Sequence, residues 1–366
     1  MDNHTFLSEH NNDRIPSHPP RIAPVSSEVK RFQWSVMIPV YNCIDYLPHT
    51  INSVLAQDMG QDAMQIEVID DCSSDGNVEE LVYQLSKGRI KYYRHSKNVG
   101  SLRNFETCIT RAQGNWVHIL HGDDVIKPNF YQEIHSLFTL FPEAGAAFTN
   151  SHFIDEKGEV LCDKVPLSKE PRILTDFLFD NAKYQHLDPP CIVVKRKVYE
   201  QIGSFYAVQY GEDWEMWTRI AANFPVAYSP KCLAAYRALQ NENITSKAFA
   251  SCRNITDTIK VIDIIQSYLP DDKKHECKQV ALDRASIYIA HMANSIYLND
   301  KHTAFLQLKG ALGISRNSKT IYLAAKLYFK HIINYRFINK HIINKKKVAH
   351  KLRILKHTFF NKATSL

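Results

Sequence analysis

The sequence predicts an α/β protein whose mostly parallel sheet is flanked by helices and followed by a helical C-terminal region. Short apolar runs alternate with helical apolar periods about four times over roughly 90 residues from Ser35, the pattern of a parallel sheet with right-handed crossovers. Polar side chains follow the ends of these runs, and from about Asn254 only helical periods remain. Ligands of such sheets bind just outside the carboxyl ends of the strands.

Each element follows from its own residue pattern. Short apolar runs predict strands at residues 35–40, 65–71, 89–94, 116–120, 146–150, 191–194, 226–228 and 234–237. Apolar side chains at helical spacing predict helices after Asn42 and Gly100, and over residues 78–85, 128–141, 197–201 and 211–222. Residues 151–187 are less regular. The C-terminal helices are predicted at residues 255–268, 278–298, 304–312 and 321–343.

Changes in amino-acid composition along the chain predict three regions. Residues 1–33 are rich in Asn, His, Ser and Pro, and we expect them to be disordered. Residues 34–240 form the α/β domain, and residues 254–366 form a helical, basic region. The 8 cysteines contain no C-x-x-C pair, so reduced thiols in the cytoplasm are expected. The polar start after Met1 predicts no secretory signal, and no apolar run reaches the roughly 18 residues of a spanning helix.

Charge is distributed unevenly along the chain. The stretch from Lys301 to Leu366 holds 15 Lys and Arg residues and no Asp or Glu, whereas the preceding 300 residues hold 30 basic and 38 acidic residues. Large apolar residues alternate with the basic ones from Ile321 onward. This mixture favours a helix on the inner face of the cytoplasmic membrane, with a solvated helical cap as the alternative. Nucleic acid is not expected as a partner, because no recognition motif accompanies the charge.

Adjacent carboxylates follow the predicted strand that starts at Trp116. Asp123 and Asp124 would repel each other unless a cation or a proton intervened. A divalent metal that bridges to phosphate oxygens is the functional explanation, and a solvated turn with Gly122 is the structural one. Asn42, Asp71 and Asp123 stand at equivalent strand ends and are therefore expected along one edge of the sheet.

The ordered set of motifs resembles the family 2 inverting glycosyltransferases of the GT-A fold, of the type that builds bacterial envelope polysaccharide and exopolysaccharide. The matching segments are IPVYN at 38–42, VIDDCSSDG at 68–76, NVG at 98–100, GNW at 114–116, GDD at 122–124 and GEDW at 211–214. The resemblance covers about residues 34–237 and implies transfer of a sugar from a nucleotide-diphosphate sugar, UDP-linked by preference. The implied acceptor is a hydroxyl of a glycan or of a lipid-linked glycan.

The resemblance also implies roles for single residues. Asp213 would be the general base, Asp123 the main ligand of Mn²⁺ or Mg²⁺ with Asp124 beside it, and Asp71 the acceptor for the base edge. Asp75, Arg103 and Asn104 would line the same pocket or hold its loops. The full set implied to bind the nucleotide sugar is Pro39, Tyr41, Asn42, Asp71, Asp75, Arg103, Asn104, His121, Gly122, Asp123 and Arg237.

Two positions depart from the family pattern. His121 stands where the family usually has Asp; imidazole can ligate a metal or donate to phosphate, and a packed or capping histidine is the alternative. The histidine that often follows the Tyr-Arg pair is replaced by Ala238-Leu239-Gln240-Asn241, so Arg237 is expected to contact phosphate directly.

Two other functions are compatible with parts of the pattern. A nucleotidyltransferase would need a Gly-rich, basic phosphate loop after the first strand, and Tyr41-Asn42-Cys43-Ile44 does not supply one. A non-catalytic nucleotide-sugar-binding subunit of a polysaccharide assembly would be favoured by loss of a metal or base carboxylate, and Asp123, Asp124 and Asp213 are all present.

Overall fold

The computed structural model describes residues 14–238 and 244–333. The chain divides into two compact units. The first contains residues up to 177 together with 186–239, and the second contains residues 178–185 together with those from 240 onward. The division falls near residue 240, where the α/β pattern of the sequence gives way to helical periods.

A ten-stranded sheet forms the first unit. Its strands are β1 (Trp34–Val40), β2 (Met64–Asp70), β3 (Lys91–Arg94), β4 (Trp116–Ile119), β5 (Val125–Ile126), β6 (Ala146–Ile154), β7 (Val160–Asp163), β8 (Arg172–Ile173), β9 (Ile192–Lys195) and β10 (Val226–Arg237). The main order is β3-β2-β1-β4-β9-β6-β10-β5, with β7 on β6 and β8 on β10.

The sheet is parallel where the strand–helix alternation predicts it. Strands β3, β2, β1 and β4 pair in parallel, as do β6 and β10, whereas β9 runs antiparallel between β4 and β6. Strands β1 and β2 are buried along their whole length, which explains their nearly continuous apolar sequences. The carboxyl ends of β1, β2 and β4 therefore meet at one edge.

Helices connect these strands. They are α1 (Leu47–Leu55), α2 (Val78–Ser86), α3 (Ser101–Arg111), α4 (Phe130–Leu140), α5 (Phe177–Lys183), α6 (Arg196–Ile202) and α7 (Glu212–Asn223), of which α5 lies largely in the second unit. Helix α1 buries Leu47, Ile51 and Val54 at a spacing of three to four residues, as predicted. The apolar face of α1 thus packs on the sheet.

The second unit is helical, as predicted for this part of the chain. Its helices are α8 (Ile244–Ala250), α9 (Arg253–Ile265), α10 (Asp271–Ile296), α11 (Lys301–Ile314) and α12 (Ser318–Ile332). Ile289, Leu308 and Leu327 bring α10, α11 and α12 together in one core. No helix of the described residues is both long enough and apolar enough to cross a membrane.

Two sequence predictions change. Disorder over residues 1–33 is wrong for residues 14–33: Ile22 is only 1% exposed in the main core, and the N–H groups of Ser204 and Ala207 donate to the carbonyls of Pro20 and Pro16. The two short strands at 226–228 and 234–237 are one strand with bulges. Residues 1–13 and the predicted helical segment 334–343 lie outside the described residues.

Candidate active site

The loops that follow β1 and β2 are tied to each other. Asn42 adopts a positive φ of 50°, its N–H donates to Ser73 Oγ at 3.1 Å, and its side-chain oxygen accepts the Ser74 N–H at 2.8 Å. The Asp75 carboxylate accepts the Ile44 N–H at 2.8 Å. Asn42 and Asp75 thus shape the edge of the sheet through their own loops.

Asp70 is the buried anchor of this edge. Its carboxylate accepts the Ser73 N–H at 2.8 Å, the Ser73 hydroxyl at 2.6 Å and the Tyr92 hydroxyl at 2.7 Å, and it pairs with Arg94. No role was predicted for Asp70 from the sequence. The alternation of side chains along a strand was the available signal, because it sends Asp70 and Asp71 to opposite sides.

Asp71 holds the loop that precedes α3. Its carboxylate accepts the Asn98 side-chain N–H at 2.8 Å, the Val99 N–H at 2.6 Å and the Gly100 N–H at 2.9 Å. Burial raises the pKa of Asp71, against the lowering effect of these backbone bonds. A carboxylate offers about four lone-pair sites, so roughly one remains for the predicted contact with a base.

Three other predicted residues differ in how accessible they are. Tyr41 is exposed, and Arg103 pairs with Glu106 at 2.7 Å. Asn104 is buried and donates to the Ile69 carbonyl at 3.1 Å. Of the two roles predicted for Asn104, holding the loops fits this position, because its side chain lies between α3 and β2.

Gly122 brings the carboxylate turn against β1. Its N–H donates to the Pro39 carbonyl at 3.1 Å, and an added Cβ would lie 2.9 Å from both Cys43 Sγ and Val40 Cγ2. Only a residue without a side chain permits this approach. Pro39 thus contacts the turn through its backbone, and its role in the nucleotide pocket stays a prediction.

Arg237 clamps the carboxylate turn from β10. Its backbone N–H donates to Asp124 Oδ1 at 2.8 Å, and its guanidinium donates to the carbonyls of Asp123 at 2.8 Å and Asp155 at 2.6 Å. The guanidinium also lies 4.8 Å from the centre of the Tyr46 ring. The residue is 1% exposed and most of its guanidinium serves the turn, and the direct contact of Arg237 with phosphate stays a prediction.

The carboxylate turn has the donor set of a divalent metal site. One ligand atom each from His121, Asp123 and Asp124 lie within 4.8 Å of one another. Asp124 is 1% exposed, and its Oδ2 is buried with no hydrogen-bond partner among the described residues. Burial, and then Asp123, raise the pKa of Asp124 well above its usual range, while burial lowers the pKa of His121. An orphaned buried oxygen beside a second carboxylate and a neutral imidazole fits Mn²⁺ or Mg²⁺.

A narrow cavity brings the predicted base to this turn. Asp213 lies in the first turn of α7, which begins after Gly211 in a left-handed conformation, and Asp213 Oδ1 accepts the Trp214 N–H at 2.8 Å. The cavity and the solvent at its mouth together make up about 240 Å³. Its lining residues are Phe105, Ile119, His121, Pro189, Phe205, Glu212, Asp213 and Trp217.

Sequence reasoning missed two aromatic contacts of this site. The Phe105 ring stacks on His121 with ring centres 5.1 Å apart, and Tyr46 lies under Arg237. In the sequence, both residues stand out only as apolar or aromatic positions of predicted helices. Residues of a hydrophobic core show the same pattern. The stacking fixes the imidazole at the junction of the turn and the cavity.

Known glycosyltransferases are similar to this chain in sequence. The model of Glycosyl transferase family 2 matches residues 35–203. A putative teichuronic acid biosynthesis glycosyltransferase, TuaG of Bacillus subtilis, is 27% identical over 218 residues, which are 58% of this chain and 82% of TuaG. An uncharacterized glycosyltransferase of Methanocaldococcus jannaschii is 24% identical over 217 residues, covering 58% of this chain and 73% of that protein.

Solved structures share the fold. S. aureus TarS 1–349 in complex with UDP-GlcNAc superposes with a TM-score of 0.58 at 15% identity, covering 84% of this chain and 91% of TarS 1–349. The mannosyltransferase PcManGT of Pyrobaculum calidifontis, in complex with GDP-Man and Mn²⁺, has a TM-score of 0.52 at 16% identity and covers 95% of this chain and 94% of its own. Residues 35–203 thus match the model of glycosyl transferase family 2, and the protein is a glycosyltransferase with the GT-A fold.

Proposed function

We propose that this protein transfers a sugar, with inversion, from a nucleotide-diphosphate sugar to a hydroxyl group of a surface polysaccharide under assembly. The observation that carries the proposal is the cavity in which Asp213 and His121 face the same space, next to the orphaned oxygen of Asp124. One carboxylate base and one cation are what a transferase with a good leaving group requires. Teichuronic acid synthesis, named for TuaG, supports the polysaccharide assignment.

The donor is UDP-linked in this proposal. The TarS complexes with UDP-GlcNAc and with UDP support it. The GDP-Man complex of PcManGT makes a guanine nucleotide the alternative donor. Asn42 and Asp71 would bind the nucleoside at the edge of the sheet, with exposed Tyr41 beside them. Arg103, half-buried and paired with Glu106, would border the same pocket.

Asp213 acts as the general base. The acceptor hydroxyl gives its proton to the Asp213 carboxylate, and its oxygen attacks the anomeric carbon from the side opposite the phosphate. The bond between that carbon and the phosphate oxygen breaks, and its electron pair leaves with the nucleoside diphosphate. A single displacement of this kind inverts the anomeric centre. The helix N-terminus that carries Asp213 favours its charged form before the proton arrives.

His121, Asp123 and Asp124 would hold the divalent metal. The bound ion would supply positive charge to the departing diphosphate. In the protein itself, Arg237 keeps the two carboxylates in place through the Asp124 carboxylate and the Asp123 carbonyl. Phe105 keeps the imidazole against the cavity.

We further propose that the basic C-terminal helices lie on the inner face of the cytoplasmic membrane and meet a lipid-linked acceptor there. Helix α12 buries Leu323 and Leu327, yet its other side exposes Tyr322 by 64%, Phe329 by 63% and Ile332 by 78%. A helix that is apolar on its solvent side and carries Lys319, Lys326 and Lys330 has the composition of an interfacial helix.

The donor assignment is tested by thermal unfolding with a panel of nucleotide sugars, with and without Mn²⁺. A ligand that binds only the folded state raises the midpoint by mass action. We expect UDP and one UDP-sugar to raise the midpoint only when Mn²⁺ is present. A larger rise with GDP-sugars would overturn the choice of base, and full UDP binding in chelator would overturn the metal.

The base assignment is tested by Asp213→Asn, with Glu212→Gln as the matched variant from the same cavity. We expect Asp213→Asn to lower kcat by roughly a hundredfold or more while the KM for the donor changes little, the effect of a lost general base. Glu212→Gln should retain most of its turnover. The reverse result would make Glu212 the base.

The membrane assignment is tested by sedimentation with liposomes of varied anionic lipid content. Replacing Tyr322, Phe329 and Ile332 together by Ser should weaken binding at low salt, because each basic contact contributes only about 1 kcal/mol and the apolar contacts must add to it. Exposed Tyr83 and Leu140 of the first unit, changed to Ser, serve as the control. Equal sedimentation of all three proteins, or none in any of them, would contradict the assignment.

A further inference from the structure

A second cluster of metal-ligating side chains lies on three adjacent strands. His152 is on β6, Asp163 on β7 and Cys232 on β10, and one ligand atom from each lies within 4.8 Å of the others. His152 Nδ1 is 3.1 Å from Cys232 Sγ and 3.2 Å from Asp163 Oδ1. No residue of this cluster belongs to the transferase site described above.

Strand pairing and a bulge create the cluster. His152 and Asp163 are direct partners in the antiparallel pairing of β6 with β7. Strand β10 pairs in parallel with β6, but its register shifts on both sides of Cys232. A bulge redirects a side chain, and here it places the Cys232 thiol against the His152 ring. The three ligands are therefore positioned by the backbone of the sheet.

The distances match those of a coordinated ion. With bond lengths of about 2.0–2.3 Å to nitrogen, oxygen and sulfur, donor atoms of a tetrahedral site lie roughly 3.3–3.8 Å apart. The two separations at His152 Nδ1 are within a few tenths of an ångström of that range. The three ligand side chains would therefore need only small shifts to bind an ion.

His152 is built to point one nitrogen into the cluster. The residue is 2% exposed, and its Nε2 is buried without a hydrogen-bond partner among the described residues. The polar neighbours that the structure shows for this ring all lie at Nδ1. They are Asp163, Cys232 and Lys127. The two other possible ligands, Asp163 and Cys232, therefore meet His152 at a single imidazole nitrogen.

We propose that His152, Asp163 and Cys232 form a binding site for a thiophilic divalent cation, with Zn²⁺ as the ion of matching chemistry. Imidazole, thiolate and carboxylate are the donors that Zn²⁺ takes, and a water would complete the tetrahedron. The Cys232 thiol releases its proton to solvent when it binds the ion. The occupied site would fasten β7 to β10 across β6, on the strand that also carries Arg237.

Lys127 provides a second way to test the site. Its ammonium lies 3.5 Å from His152 Nδ1, so it now supplies the positive charge of the cluster. Zn²⁺ would displace this long side chain, while the Lys127 backbone bond to the Leu233 carbonyl stays in place. Removing the ammonium should therefore strengthen cation binding. A role of Lys127 in simple packing predicts no such gain.

Co²⁺ absorption tests the site in the full-length protein after chelator treatment. A thiolate bound to Co²⁺ gives a sulfur-to-metal charge-transfer band in the near ultraviolet, and the site at His121, Asp123 and Asp124 has no cysteine to produce it. We expect the band in the wild-type protein, its loss on addition of Zn²⁺, and its absence in Cys232→Ser. Cys72→Ser, a change at another cysteine of the same unit, should leave the band unchanged.

Zn²⁺ affinity, measured by competition with a chromophoric chelator, completes the test. We expect Cys232→Ser and His152→Ala to lower the affinity at least about tenfold, and Lys127→Met to raise it severalfold. A wild-type protein without the charge-transfer band, a band that persists in Cys232→Ser, or a Lys127→Met affinity equal to or below that of the wild type would overturn the proposal. The wild-type spectrum and Lys127→Met keep the test decisive should Cys232→Ser fold poorly.

Discussion

Replacing Asp124 by Asn should remove the response of the protein to metal and, at a pH above the raised pKa of Asp124, should stabilise the metal-free protein. The carboxylate oxygens of Asp123 and Asp124 approach within 4.8 Å, where two full charges repel by about 3.5 kcal/mol at an effective dielectric constant of 20. The side-chain oxygen of Asn can still accept the Arg237 N–H. Its NH₂ group would replace Oδ2, which has no hydrogen-bond partner among the described residues, and would be buried without a partner too. Allowing about 1–3 kcal/mol for that group, the net gain is about 0.5–2.5 kcal/mol.

The measurement is urea unfolding in chelator and in Mn²⁺, with Asp75→Asn as the control. Asp75 also accepts a backbone N–H near the pocket, yet its carboxylate does not belong to the His121–Asp123–Asp124 cluster, so its change should bring no gain. In Mn²⁺ the order should reverse, with the wild-type protein gaining stability and Asp124→Asn gaining little. Destabilisation of Asp124→Asn by more than about 1 kcal/mol in chelator would refute the reasoning, because the carboxylate would then be satisfied without a cation.

The pH dependence of the same protein has a defined sign. Burial, with the nearby Asp123, raises the pKa of folded Asp124 well above its unfolded value, so the folded state binds the proton more tightly. The stability of the metal-free protein should therefore fall as the pH rises from about 4 through the raised pKa. Asp124→Asn should lose this slope.

Two further substitutions follow from the same edge of the sheet. Asp70→Ala should destabilise the protein by about 1–3 kcal/mol in urea unfolding, because it leaves the Ser73 N–H and the Tyr92 hydroxyl without their buried partner; a loss below about 1 kcal/mol would show that water replaces the carboxylate. Gly122→Ala should cost about 1–3 kcal/mol and weaken UDP binding, since its Cβ would meet Cys43 Sγ at 2.9 Å. Cys43→Ala in the same chain should recover part of both losses, and no recovery would place the clash elsewhere.

Local sequence determined the framework of this protein. The alternation of apolar runs with helical periods from Ser35 to Trp116 predicts the parallel strands β1 to β4, and the structure confirms them. It also predicts that Asn42, Asp71 and Asp123 follow strand ends, because strand and helix periods act over neighbouring residues and the ends of parallel strands share an edge. The change to purely helical periods near residue 254 likewise marks the second unit.

Tertiary structure decided which side chains act together. Arg237 binds Asp124 across 113 positions of sequence, and Cys232 meets His152 across 80. The first contact depends on the pairing of β10 with β5 and the second on a bulge in β10, neither of which leaves a periodic signal in the sequence. Residues 14–33 illustrate the same limit. Their proline-rich composition predicts disorder, yet the pocket that buries Ile22 is formed by residues far along the chain, so its stabilising contribution exists only once the sheet has folded.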